Sequence, residues 1–190
     1  MKKSDRLNLP NILTIARMVC IPAVVVLLLA DSGGSISRQR SLVAFFLFVA
    51  AALTDLLDGF LARRYQMITD LGKLMDPLAD KLLLCAAMIM LVPLSRVPAW
   101  MAVIVVAREI GVTALRGLAA TEGLVIAASS LGKWKTALLN TGVAMLIMYY
   151  TTLGVPVKDI GFVVLTAGVV MTTWSGLDYF FRYVKELFKH

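Results

Sequence analysis

Six apolar stretches, at about 12–30, 41–62, 76–94, 98–117, 134–153 and 160–181, occupy most of this 190-residue chain. Each approaches the roughly 20 residues that a helix needs to cross the hydrocarbon core of a bilayer. The connections are short, and no repeat, low-complexity tract or linker sets off a second domain. The sequence therefore reads as one all-α integral membrane domain over residues 1–190, with six transmembrane helices. Composition agrees: charged residues are 16% of the chain, against about 25% in a soluble domain, and mean hydropathy is +0.84.

The first stretch follows Met-Lys-Lys, as a secretory leader would, but Arg17 interrupts it and no small-x-small pattern precedes a cut at Ala30. It is read as a retained span. Cys20 and Cys85 both lie inside apolar runs and read as small buried hydrophobes, not as a disulfide or a metal pair. The net charge of +7 belongs to basic juxtamembrane segments and not to a nucleic-acid surface.

Orientation follows from the distribution of lysine and arginine. With a cytoplasmic N-terminus, 15 basic residues fall on the cytoplasmic face, whereas Arg38, Arg40, Arg96 and Lys158 are the 4 on the other. That bias places both termini in the cytoplasm of a multi-pass cell-membrane protein.

The last two stretches contain charge-free runs, Thr136–Val157 and Ile160–Leu177, but ionisable residues interrupt the first four. Arg17 comes near the start of the first and Asp55 and Asp58 near the end of the second. Asp76 and Asp80 open the third, and Arg108 and Glu109 come late in the fourth. All these interruptions fall on the cytoplasmic side although successive helices run in opposite directions. Intramembrane charges are costly and are kept for use, so the pattern implies a polar cavity open to the cytoplasm.

The carboxylate spacings suggest its chemistry. Asp55 and Asp58 are separated by three residues and Asp76 and Asp80 by four, so each pair shares one helical face. Four converging carboxylates need opposite charge in a low-dielectric site. All-oxygen ligands suit two divalent cations, Mg²⁺ or Mn²⁺, a recurrent device for displacement at phosphorus. Gly59 and Ala62 leave space beside Asp58 for a flat ligand, and Arg63 can reach phosphate oxygens. Gly72 is expected to turn the backbone tightly between the two helices, and Pro77 to occupy the first turn of the third.

Asp55-x₂-Asp58-Gly59-x₂-Ala62-Arg63-x₈-Gly72-x₃-Asp76-x₃-Asp80 matches every defined position of the pattern that marks the CDP-alcohol phosphotransferases, and the chain is identified as resembling that family. The resemblance extends from residue 8 to about 182. Asn8-Leu-Pro-Asn11-Ile-Leu-Thr14-Ile-Ala-Arg17, Ala107-Arg108-Glu109-Ile110 with Ala114-Leu115-Arg116, and Gly132-Lys133-Trp134-Lys135-Thr136 look like the branch that makes phosphatidylglycerophosphate.

The resemblance implies transfer of the phosphatidyl group from CDP-diacylglycerol to sn-glycerol 3-phosphate, with release of CMP. It assigns Asp55, Asp58, Asp76 and Asp80 to two divalent ions and makes Asp80 the expected general base. Asn11, Thr14, Gly59, Arg63 and Thr69 align with positions that contact the cytidine or diphosphate, and Ala62 and Gly72 complete the donor-binding pattern. A homodimer among membrane lipids is also implied by the resemblance alone.

The acceptor phosphate needs its own cations, and Arg116, Lys133, Lys135 and Arg182 are the basic residues on the correct face. Arginine offers bidentate phosphate contacts, which favours Arg116 and Arg182. Juxtamembrane Lys and Arg are commonly topology signals or headgroup partners, and Arg108 with Glu109 reads first as an intramembrane ion pair. Asp70 reads as a loop or capping residue, Glu122 and Asp178 as solvated, and Trp134, Trp174 and Tyr179 as interfacial anchors. An ion transporter would also use intramembrane carboxylates, but it would need polar access from both faces, and the outer halves of these spans are nearly featureless. Within the family the competing acceptors are inositol phosphate, serine and phosphatidylglycerol.

Overall fold

An apolar run of this length satisfies its backbone polar groups most simply by coiling into a helix, and the described residues do so six times. The structure, a computed structural model, describes residues 9–31, 33–65, 70–121, 131–151 and 154–188, with side chains over 15–31, 33–54, 78–121, 134–151 and 154–188. The helices are α1 (Leu9–Leu28), α2 (Arg38–Tyr65), α3 (Asp70–Leu91), α4 (Ala99–Thr121), α5 (Leu131–Met148) and α6 (Val157–Leu187). By length and composition, one helix among the described residues, α6, suffices to cross a membrane. Large apolar side chains on α2, α4 and α6 face outward: Phe46, Val103 and Trp174 are 66%, 65% and 69% exposed. An apolar surface of this kind suits contact with a membrane or with another protein.

Three boundaries depart from expectation by five residues or more: the end of α6, at Leu187 instead of 181, the start of α3 and the end of α5. Helix α3 begins at Asp70, so Pro77 sits two turns inside it and Gly72 lies in its first turn instead of forming a bend between helices. An acidic residue at the opening of a helix complements the positive end of its dipole, and Leu71, Leu74 and Met75 extend the helical pattern ahead of the apolar run. Helix α5 stops at Met148, short of the expected 153, because Tyr149 adopts a left-handed φ of 62°. Its N–H donates to the Met145 carbonyl at 2.8 Å, closing the last turn.

One apolar core runs through the bundle, with Leu28, Phe48, Met88, Met101, Leu139 and Leu165 each at most 2% exposed. Helix α1 packs on α2 and α3, and α6 packs on α5 and α4. The α5–α6 contact is the closest. A Cβ at Gly142 would stand 2.6 Å from the Leu165 backbone nitrogen, one at Gly161 2.7 Å from Met145 Cβ, and one at Gly168 3.0 Å from Leu139. Residues descending along α5 thus meet residues ascending along α6, an antiparallel pair whose backbones approach because the seam lacks side chains.

Two arginines close helix ends. Arg40 donates to the Val26 and Leu29 carbonyls at 3.3 and 2.6 Å and to Asp31 at 2.7 Å, covering the C-terminus of α1. Arg96, buried between α3 and α4, donates to the Leu146 and Ile147 carbonyls at 3.2 and 2.7 Å and to Ser41 Oγ at 3.0 Å. Each places a cation on carbonyls at the negative dipole end of a helix.

Candidate functional site

Alternation of helix direction gathers the candidate residues at one end of the bundle. Asp55, Asp58, Gly59, Ala62 and Arg63 fall in the C-terminal portion of α2, and Gly72, Asp76 and Asp80 in the N-terminal portion of α3. Asn11 and Thr14 belong to the first turns of α1, Arg116 to the C-terminal part of α4, Lys133 and Lys135 to the start of α5, and Arg182 to the end of α6. Thr69 lies outside the described residues, as do the side chains of Asn11, Thr14, Asp55, Asp58, Ala62, Arg63, Asp76 and Lys133. Among the described residues no group of three His, Cys, Asp or Glu stands ready to hold a metal; of the four aspartates only Asp80 has a described side chain.

Since α2 and α3 are continuous helices through these positions, Asp55 with Asp58 and Asp76 with Asp80 each occupy one helical face. Cations accompany them. Arg17 on α1 is 1% exposed, and its Nε donates to the Ala51 carbonyl at 3.2 Å, one turn before Asp55. Ala51 O also accepts from Thr54 Oγ1 at 2.7 Å. Beside Asp80, Lys81 Nζ donates to Thr113 Oγ1 on α4, which itself donates to the Glu109 carbonyl at 2.6 Å.

A buried charge cluster ties α4, α5 and α6 together. Glu109 Oε1 accepts from Arg108 Nη1 at 2.5 Å and from Lys135 Nζ at 3.4 Å. Arg108 also donates to the Thr172 carbonyl at 3.2 Å and to Ser175 Oγ at 3.4 Å. Its stem crosses α6 at Gly176, where an added Cβ would stand 3.0 Å from Arg108 Cγ. The Arg108–Glu109 ion pair expected from sequence is present.

The acceptor candidates take different places. Lys135 is buried and held by Glu109. Arg116 is exposed, with its guanidinium 5.7 Å from the Tyr179 ring centroid. Arg182 pairs with Asp178 at 3.0 Å across one helical turn, so Asp178 is ion-paired as well as partly solvated. Tyr179 is 8% exposed and therefore packs inward, whereas Trp134 and Trp174 are each 69% exposed, as interfacial anchors would be.

Sequence reasoning missed three links: Lys135 to Glu109, Lys81 to Thr113, and Arg108 to Ser175. Opposite charges isolated in separate apolar stretches at the same bundle end were the available signal for the first. The other two join polar residues of ordinary appearance.

A family model described as CDP-alcohol phosphatidyltransferase matches residues 7–174. The chain is 38% identical to a CDP-diacylglycerol–glycerol-3-phosphate 3-phosphatidyltransferase of Bacillus subtilis (strain 168), over 91% of this chain and 93% of that protein. It is 39% identical to a probable phosphatidylglycerophosphate synthase of Mycobacterium tuberculosis (strain H37Rv), over 95% and 83%. A CDP-diacylglycerol–glycerol-3-phosphate 3-phosphatidyltransferase of Rickettsia typhi is 37% identical over 91% and 95%.

Proposed function

The chain belongs to the CDP-alcohol phosphatidyltransferase family, and from that premise we propose that it transfers the phosphatidyl group of CDP-diacylglycerol to sn-glycerol 3-phosphate, releasing CMP and forming phosphatidylglycerophosphate. The observation that carries this reading is the full aspartate pattern on the adjoining ends of α2 and α3, in a chain whose relatives bear that activity in their names.

The donor set fits a divalent pair. Four carboxylates on two helical faces offer oxygen ligands without a convergent His or Cys, the preference of Mg²⁺ or Mn²⁺. Asp55, Asp58, Asp76 and Asp80 would hold the ions. Bound there, they would neutralise the donor diphosphate and stabilise the departing CMP.

The chain's own residues do the rest. Asn11, Thr14, Gly59, Ala62, Arg63, Thr69 and Gly72 form the donor-binding set, with Arg63 directed to the diphosphate. Asp80 accepts the proton of the glycerol 3-phosphate hydroxyl as its oxygen bonds to the phosphorus carrying the diacylglycerol, and the bond to CMP breaks. Arg116, Lys133, Lys135 and Arg182 receive the acceptor phosphate. Glu109 then has a positioning role, holding Lys135 at a fixed height in the bundle.

The setting belongs to the same proposal: six membrane-crossing helices in the cell membrane, termini and site on the cytoplasmic side, and a homodimer. Lipid tails stay in the bilayer while the water-soluble acceptor enters from the cytoplasm. The deciding experiment supplies purified protein with CDP-diacylglycerol and Mg²⁺ or Mn²⁺, adds glycerol 3-phosphate, inositol phosphate or serine separately, and measures CMP. Release with glycerol 3-phosphate alone is expected; release with another acceptor moves the assignment within the family, and none with any acceptor rejects it.

A further inference from the structure

At the bundle end opposite the aspartates, a cleft of about 690 Å³ opens where α3 leads into α4 and α6 begins. Its lining combines Val92, Leu146 and Phe162 with three charged residues, Arg96, Lys158 and Asp159. Among the described residues none of these three charges is in an ion pair. Arg96 is 6% exposed, and its guanidinium donates to two carbonyls and the Ser41 hydroxyl and also meets the Tyr150 hydroxyl, all neutral.

Both cations gather on one aromatic ring. The Arg96 guanidinium carbon lies 4.3 Å from the Tyr149 centroid and Lys158 Nζ 5.4 Å from it. An aromatic face stabilises a cation only modestly, and it does not neutralise two. Burial lowers the Arg96 pKa from its ordinary value, yet a guanidinium remains charged. The cleft thus carries two positive groups against one carboxylate.

Its position adds a second constraint. Lys158 and Asp159 stand in the first turn of α6, the helix long and apolar enough to cross a membrane, and the membrane-crossing placement proposed above sets them at headgroup depth. From there the wall continues along Phe162 and Val163, 40% and 67% exposed. A free inorganic anion would gain nothing from that apolar continuation. A lipid would gain from both parts.

We propose that this cleft binds one phospholipid, with its phosphodiester at Arg96 and Lys158 and an acyl chain along Phe162 and Val163. The site is separate from the transfer site and does not depend on the assignment of the reaction. The lipid phosphate supplies the missing anion, and Asp159 disfavours headgroups that carry further negative charge.

The test is native mass spectrometry of the intact protein in detergent, titrated with dioleoylphosphatidylglycerol or with uncharged dioleoylglycerol. Wild-type protein is expected to retain one more phosphatidylglycerol than Lys158→Glu, with an affinity at least about tenfold higher at that site. Lys185→Glu, at the other end of α6, should match wild type. Asp159→Asn should bind phosphatidylglycerol more tightly, a gain that misfolding cannot produce. Equal retention by wild type and Lys158→Glu, equal binding of dioleoylglycerol, or displacement by millimolar inorganic phosphate each overturns the proposal.

Discussion

Arg108 and Lys135 converge on a single oxygen of Glu109: Oε1 receives Nη1 from its sequence neighbour at 2.5 Å and Nζ from α5 at 3.4 Å. All three side chains are about one-tenth exposed. The arrangement leaves one net positive charge between three helices, near the bundle end that holds the aspartates. Such a surplus suits an anionic ligand and makes the lone carboxylate indispensable to the fold.

Glu109→Gln therefore leaves two buried cations without a counter-charge. A loss of about 3 kcal/mol is expected, in the range for breaking one side of a buried ion pair. Unfolding midpoints in detergent check it. Glu109→Gln combined with Lys135→Met should recover part of the loss, because one stranded charge is gone; no recovery would show that the two residues are not coupled.

Asp80→Asn keeps the size of the side chain and removes its basicity. CMP release should fall by about 10² to 10⁴-fold. Chelation of divalent ions should abolish release in wild-type protein, and added Mg²⁺ or Mn²⁺ should restore it. Undiminished turnover by Asp80→Asn would remove this residue as the base.

Arg116→Ala tests acceptor recognition. Its guanidinium touches Tyr179 at 5.7 Å and is otherwise exposed, so truncation should spare the fold. The KM for glycerol 3-phosphate should rise about tenfold with a smaller change in kcat, the signature of lost ground-state binding. An unchanged KM would assign Arg116 to topology alone.

Gly142→Val tests the α5–α6 seam. The first added carbon meets Leu165 backbone atoms at 2.6 and 2.7 Å, and backbone cannot swing aside as a side chain can. Overpacking of this kind costs about 1–3 kcal/mol, measurable as a lowered unfolding midpoint. Gly117→Ala, where an added Cβ meets nothing within 4 Å, is the matched control. It should be neutral or slightly stabilising.

Hydropathy located all six helices because each is built on a long apolar run, whatever that run packs against. It placed the start of α3 too late, since charge at Lys73 and Asp76 hides a helix that continues past the apolar run. It also carried α5 past Met148, because a left-handed Tyr149 leaves no trace in composition. Arg108 and Glu109 were legible as a pair through adjacency. The bond from Lys135 to Glu109 was not legible, because the two lie 26 residues apart and such distances are set by packing and not by local pattern.

Arg40 and Arg96 also differ in when their partners become available. Arg40 reaches carbonyls 11 and 14 residues earlier in the chain, so its acceptors already exist when it is synthesised. The Arg96 guanidinium must wait for Leu146 and Ile147, 50 and 51 residues later, although Ser41 Oγ precedes it in the chain. A nascent chain that stops before residue 146 therefore holds this guanidinium without its carbonyls. Closure of that end by Arg96 therefore requires the fifth helix to be in place.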